Sequence, residues 1–221
     1  LARSVGAFTT LAPDGSGMVY AVPEGADWQL WFKPRDAAEP TLLTGTAGGQ
    51  NPVYSPDAEW IAFAAGPELK KRPIGDGSTI TLAEGLTPPG VASMVATAWQ
   101  DDGTILYEMP GATLMRIPDV GGLADTVAVY SEQGFTNLAW VGGLPGSRGA
   151  LVTLCPGPCA GGLSLLVADF EADTTRLLLD DVARGWYTPT GQLIYVRTDG
   201  AVFAAPFDLD ALELTGPGLP L

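Results

Sequence analysis

The residues that could do chemistry in this chain are two cysteines and several aspartates, because histidine is absent. Without histidine the usual Ser–His and Cys–His nucleophile pairs cannot form, and the commonest proton shuttle is missing. Glycosidase-like chemistry needs two carboxyls that face one cleft, whereas neighbours on a strand point to opposite faces. We therefore expect no enzyme activity and no cofactor, and we expect the following closely spaced aspartates to be solvated turn residues: Asp101/Asp102, Asp180/Asp181 and Asp208/Asp210.

Three further aspartate positions share one local pattern. Asp14, Asp57 and Asp102 each stand in a short turn that precedes an apolar strand. An aspartate in such a turn accepts hydrogen bonds from backbone N–H groups one or two residues further on. The alternative is a ring of carboxylates that binds a hard cation near a central channel. No spacing typical of a calcium loop occurs, so we predict a repeated structural turn and no metal site.

The two cysteines frame a turn-forming run, Cys155-Pro-Gly-Pro-Cys159. If the backbone folds back there, the two thiols come close enough to be bridged. A tetrahedral zinc site would lack ligands, and a redox pair is more often C-x-x-C. We predict a disulfide between Cys155 and Cys159, with two free thiols at a hairpin tip as the alternative. A disulfide would place the protein outside the reducing cytoplasm.

The elements that must position these residues repeat along the chain. Turns followed by apolar strands end at residues 15, 58, 103, 149 and 191, a period of about 44 residues. Each unit reads strand, turn, strand, strand, turn, strand. A large apolar residue stands four positions before the last turn residue in four of the units: Leu11, Tyr54, Trp99 and Tyr187. Trp140 takes that place in the stretched fourth unit.

Four short strands in about 44 residues are typical of a propeller blade. We predict an all-β fold, a single β-propeller domain over residues 1–221 with five visible four-stranded blades. An ordinary β-sandwich with coincidentally spaced turns is the alternative. Sequence outside this chain could supply a sixth blade. The predicted repeats are approximately 5–45, 46–85, 86–130, 131–182 and 183–221.

Composition limits the partners. The formal net charge of −14 repels phosphate backbones, so no nucleic-acid partner is expected. No run of about 18 apolar residues is present, and the chain begins Leu1-Ala2-Arg3. We therefore expect a piece of a longer protein, with any membrane contact made through an anchor outside this segment. The basic cluster Lys70-Lys71-Arg72 is expected to be solvent-exposed, and the six tryptophans are expected to pack between blades.

The Pro-Asp-Gly turns followed by strands such as "IAF" resemble the TolB-type, WD40-like propeller repeat of bacteria. "PVYSPDAEWIAFAAGPELKKRPIGDGSTITL" and "GWYTPTGQLIYVRTDGAVFAAPFDLDALELTGPGLPL" look like blades of the propellers attached to bacterial serine/threonine protein kinases. None of the kinase motifs is present. The resemblance implies a sensor or interaction module whose kinase, if there is one, would lie upstream beyond a membrane segment. It also implies an extracytoplasmic location, on the periplasmic or cell-surface side.

The predicted function is therefore a non-catalytic recognition or scaffold propeller that binds a protein partner or a small ligand at its loops or channel mouth. One version is the sensor of a membrane-anchored bacterial protein. The alternative is a structural accessory subunit of a larger bacterial membrane complex, for example an energy-transducing one. A propeller domain of a hydrolase is a third candidate, which predicts a catalytic domain elsewhere.

Overall fold

Five antiparallel sheets of consecutive strands make up the computed structural model, which describes residues 8–25, 27–86, 96–157 and 162–221. Blade 1 contains β1 (Thr9–Leu11), β2 (Gly17–Glu24), β3 (Asp27–Pro34) and β4 (Thr41–Leu42). Blade 2 contains β5 (Gly49–Tyr54), β6 (Trp60–Ala65), β7 (Glu68–Pro73) and β8 (Ile80–Glu84). Blade 3 contains β9 (Thr97–Trp99), β10 (Thr104–Met109), β11 (Thr113–Pro118) and β12 (Asp125–Val129).

Blade 4 contains the longer strands β13 (Phe135–Gly143), β14 (Gly149–Pro156), β15 (Ser164–Asp169) and β16 (Thr174–Asp180). Blade 5 contains β17 (Val182–Thr188), β18 (Gln192–Arg197), β19 (Val202–Asp208) and β20 (Glu213–Leu214). A further short strand, β21 (Leu219–Pro220), also pairs with β19. The described helical residues are two 3₁₀ turns, Ser131–Gln133 and Pro145–Ser147. The predicted all-β propeller of five four-stranded blades is confirmed.

The turn between the first two strands of a blade explains the repeat in the sequence. In blades 1, 2, 3 and 5 the backbone N–H of the last turn residue donates to the carbonyl three residues earlier. That last residue has a left-handed backbone, at φ 73° for Gly15, 77° for Gly103 and 77° for Gly191. Glycine adopts this conformation without a steric penalty. Blade 2 places Ala58 there at φ 61°.

Apolar packing between consecutive blades holds the fold together. Within the described residues, four clusters of buried side chains occur, one at each junction from blade 1–2 to blade 4–5. In blades 2, 3 and 4 the second strand supplies residues to the clusters on both of its faces. In blade 2, for example, Ile61 and Phe63 face blade 1 while Ala62 and Ala64 face blade 3. A single blade could not bury both faces, so stacking of neighbouring blades stabilises each of them.

Polar contacts also join the blades. Arg72 of β7 is buried and donates to the carbonyls of Thr44 in blade 1 and of Gly75. Gly146 N donates to Asp101 Oδ2 at 2.7 Å and links the turns of blades 3 and 4. Arg148 of blade 4 reaches the Asp210 carbonyl of blade 5 at 3.3 Å. These contacts fix how neighbouring blades are aligned, and therefore fix the channel that their first strands surround.

Candidate binding site in the central channel

The first strands of all five blades surround one cavity of about 320 Å³. Each of these strands pairs with the second strand of its own blade and with no other described strand. Its other edge therefore leaves backbone N–H and C=O groups without a strand partner, facing the axis. The lining residues are Phe8, Thr9, Thr10, Leu11, Pro13, Asn51, Pro52, Val53, Tyr54, Ala96, Thr97, Ala98, Trp99, Ala139, Trp140, Val141, Gly142, Arg184 and Trp186.

Arg184 is the one charged side chain among the described residues that line this cavity. It lies on β17 two residues before Trp186, so the two side chains share the strand face that lines the channel. Arg184 is half-buried and forms no salt bridge with any residue that the structure describes. A cation thus lies at the axis of a protein whose net charge is −14.

Aromatic and aliphatic side chains supply much of the remaining wall. The rings of Trp140 and Trp186 meet edge to face, with centroids 5.8 Å apart. Trp186 is 43% exposed and Leu11 is 72% exposed, so both present apolar surface to the solvent in the channel. The indole of Trp140 lies against Gly142, where an added Cβ would come within 2.1 Å of the ring. Glycine at position 142 is therefore required for the position of Trp140.

The polar side chains of the channel wall differ in their hydrogen bonding. Thr97 Oγ1 donates to the Asn51 carbonyl at 2.8 Å and joins blades 2 and 3. Tyr54 Oη and Trp99 Nε1 are buried and have no hydrogen-bond partner among the described residues. Burial, reinforced by the charge of Asp14, raises the pKa of the Tyr54 hydroxyl. Tyr54 therefore stays neutral, and Arg184 supplies the fixed charge of the wall.

The three recurrent aspartates lie in the turns between first and second strands. Each accepts a hydrogen bond from the backbone N–H two residues further on, at 2.8 Å for Asp14 and 3.0 Å for Asp57 and Asp102. The pKa of Asp14 is lowered chiefly by the Ser16 backbone, and that of Asp57 by the Ser55 hydroxyl. Their carboxylates serve the turns. No group of three metal-ligating side chains occurs within residues 8–25, 27–86, 96–157 and 162–221.

The closely spaced aspartates do not form a pair across a cleft. Asp102 caps its own turn, whereas Asp101 binds the backbone of blade 4. Asp180 Oδ1 accepts from the Ser164 hydroxyl at 2.9 Å. Asp208 Oδ1 accepts from the backbone N–H groups of residues 210 and 211, both at 2.9 Å. The hydrogen-bonded carboxylates therefore hold turns and strand pairs in place.

The expectation for the basic cluster was wrong for two of its three residues. Lys71 and Arg72 are buried, at 8% and 3% exposure, because β7 is the third strand of blade 2 and has blades stacked on both of its faces. The Lys71 ammonium lies 4.6 Å from the Trp60 ring centroid and 5.8 Å from that of Trp99. Attraction of a cation to aromatic faces offsets part of the cost of burial. Only Lys70 stays partly exposed, paired with Glu68 at 2.7 Å.

The tryptophans divide between packing and the channel. Trp28 packs edge to face on Phe8 at 5.7 Å, and Trp60 and Trp99 hold Lys71. Trp186 is the exposed one at 43%. The fully buried Cys155 lies at the end of β14, whereas Cys159 is outside the described residues. The disulfide between them therefore stays a prediction.

One buried carboxyl was not singled out from the sequence. Glu108 of β10 is 8% exposed at the junction of blades 3 and 4, and its Oε1 accepts from Leu138 N at 2.8 Å. Burial raises the pKa of Glu108 from 4.5 to about 7, and hydrogen bonds from the backbone partly oppose this rise. An acidic residue within the apolar run "TILYEM" is the sequence signal that could have identified it.

Comparisons with solved structures agree with this geometry. A putative TolB from Agrobacterium tumefaciens superposes with a TM-score of 0.73 at 14% identity, over 96% of this chain and 79% of that one. TolB from Acinetobacter baumannii gives 0.65 at 13% identity, over 97% of this chain and 54% of that one. This chain has a TolB-like β-propeller fold. No family model and no curated protein sequence matches it.

Solved structures of proteins other than TolB also superpose on this chain. The tricorn protease matches with a TM-score of 0.63 at 11% identity, over 97% of this chain and 27% of that one. Such low identities establish the fold alone, since one fold serves many functions. The narrower resemblance to kinase-attached propellers stays a prediction. In the part of the chain that the structure describes, no helix is long and apolar enough to cross a membrane.

Proposed function

We propose that this propeller is a non-catalytic recognition module that binds an extended segment of a partner protein in its central channel. The observation that carries the proposal is the channel wall, in which the five first strands pair with no further described strand on their axial edges and Leu11 and Trp186 present exposed apolar side chains. Backbone N–H and C=O groups along a strand edge can bind the backbone of an extended peptide. Side chains such as Leu11 and Trp186 would then select among sequences.

The size of the cavity suits this use. About 320 Å³ holds a few residues of an extended chain and no folded domain. The hydrogen-bonded aspartates described above serve turns or strand pairs, and these interactions do not suggest a reaction centre in the channel. The partner would therefore insert a terminus or a loop.

The proposal includes an extracytoplasmic location, with the propeller as the sensor or interaction part of a membrane-anchored bacterial protein. The TolB-like fold and the predicted Cys155–Cys159 disulfide support this location. A stoichiometric subunit of a membrane complex is the alternative version. The coding sequence around this segment distinguishes them, because a kinase domain upstream would favour the sensor.

Selection from a displayed library of random 12-residue peptides tests the proposal. We expect enriched peptides to bind the wild-type chain and to lose most of their affinity for Trp186→Ala, which removes an exposed aromatic wall. Leu123→Ala is the matched control, because Leu123 is 90% exposed on the loop between β11 and β12 and does not line the channel. Peptides that bind both variants equally well, or a library without binders, would contradict the proposal.

A further inference from the structure

We propose that Arg184 receives a carboxylate of the bound segment, so that the channel selects peptides that place an acidic group beside an apolar residue. This inference rests on the proposed function and specifies its ligand. The observation is the isolation of Arg184. The other described channel residues are uncharged, and no described carboxylate forms a salt bridge with its guanidinium.

Two other basic residues of the propeller, Arg72 and Arg148, show what Arg184 lacks. The Arg72 guanidinium donates to three backbone carbonyls, those of Thr44, Pro73 and Gly75. Arg148 forms two hydrogen bonds with the carboxylate of Asp169. Arginine presents a planar fork of donors that fits a carboxylate in this bidentate manner. Arg184 offers the same fork to the cavity, without such a partner in the described structure.

The surroundings of Arg184 define the rest of the ligand. Trp186 follows on the same strand face, and its ring meets Trp140 at 5.8 Å. A ligand whose carboxylate reaches Arg184 therefore places its neighbouring residue against the two indoles. The net charge of −14 repels acidic chains from the outer surface. Because Arg184 is the one charge on the described channel wall, an acidic group is favoured beside Arg184 and at no other position along that wall.

Two sources can provide the carboxylate, and they share one chemistry. A free C-terminal carboxylate would suit a chain end inserted into the channel. An aspartate or glutamate side chain would suit an inserted loop. Matched synthetic peptides separate the two sources. Each selected peptide is made with a free C-terminal carboxylate and with a C-terminal amide. A further form replaces its acidic side chains by the corresponding amides.

The experiment measures the affinity of these peptides for the wild-type chain, Arg184→Gln, Arg184→Lys and Arg197→Gln by fluorescence anisotropy. Loss of a charge-assisted hydrogen bond predicts about 10-fold or greater weakening with Arg184→Gln, with partial recovery in Arg184→Lys. Arg197→Gln changes the net charge equally, yet Arg197 lies on β18 beside Asp199 and does not line the channel. The affinity of the peptides for Arg197→Gln should equal their affinity for the wild-type chain.

The outcomes separate this inference from the proposed function. If peptides lose affinity for Trp186→Ala but bind Arg184→Gln as tightly as wild type, the channel binds peptides and the role of Arg184 is refuted. Equal binding of the acidic and fully amidated peptides would refute it as well. If Arg184→Gln and Arg197→Gln weaken binding equally, the effect is one of net charge, and the inference also fails. Circular dichroism spectra and urea midpoints of each variant check that it remains folded.

Discussion

Glu108 gives the clearest test of the electrostatics of this propeller. Its carboxyl lies between blades 3 and 4, is 8% exposed, and accepts a hydrogen bond from Leu138 N at 2.8 Å. No lysine or arginine in the described ranges forms a salt bridge with it. Burial disfavours the ionised form, and the pKa of Glu108 rises from 4.5 to about 7. The folded state therefore holds this proton more tightly than the unfolded chain does.

The sign of the pH dependence follows from proton binding. Below pH 4.5 Glu108 is protonated in both the folded and the unfolded state, and it contributes no pH dependence. Between pH 4.5 and about 7 the unfolded state releases the proton while the folded state keeps it, so the free energy of unfolding falls as pH rises. A pKa difference of about 2.5 corresponds to about 3 kcal/mol, lost by pH 8.

Urea unfolding followed by tryptophan fluorescence at pH 5, 6, 7 and 8 measures this loss. Glu108→Gln keeps a carbonyl oxygen for Leu138 N but cannot ionise, so its stability relative to wild type should increase by about 2–3 kcal/mol between pH 5 and pH 8. Glu132→Gln is the matched control, because Glu132 is an exposed residue at the same junction. Carboxyls with a lowered pKa affect stability in a different pH range. The hydrogen bond from Arg148 lowers the pKa of Asp169 to about 2, so Asp169 affects stability below pH 4. Parallel pH profiles for wild type and Glu108→Gln would refute the reasoning.

Two further predictions concern the junction between blades 1 and 2 and the cysteines. Arg72→Met should lower the free energy of unfolding by about 2–3 kcal/mol, because it leaves the Thr44 and Gly75 carbonyls without their buried donor. Arg35→Met is the control, because Arg35 is exposed. Equal urea midpoints for the two variants would contradict this role of Arg72. Intact mass after alkylation, with and without prior reduction, should show no modified cysteine in unreduced protein if Cys155 and Cys159 are bridged. Two alkylated thiols in protein purified without reductant would exclude the bridge.

The fold could be predicted from the sequence because its signals are local and repeated. The left-handed positions at Gly15, Gly103 and Gly191 each fix a turn, and their spacing sets the blade length. The short strand β21 was not predicted. Its pairing with β19 adds Leu219–Pro220 to a blade whose outer strand is already interrupted after Leu214. Such an addition depends on tertiary pairing, which strand patterns do not encode.

Burial of the basic cluster could not be predicted from alternation along β7 alone. Alternation places Lys71 and its neighbours on opposite faces, and for an isolated sheet one of these faces would be solvated. In this propeller both faces of β7 lie between blades, so Lys71 meets Trp99 of blade 3 and Arg72 meets Thr44 of blade 1. The relevant partners are 28 residues away in either direction along the chain (from 71 to 99, and from 72 to 44).

Arg184 carried no local signal, because the residues that make it unusual come from other blades. "VARGWY" reads as an ordinary strand start, and only the assembled ring places its arginine at the axis. Burying a charge requires compensation. Lys71 receives it from two indole faces and Arg72 from three carbonyls, whereas the half-buried Arg184 faces the cavity without either arrangement. The propeller thus compensates the buried cations of Lys71 and Arg72 with its own groups, and the ligand proposed above would compensate the cation of Arg184.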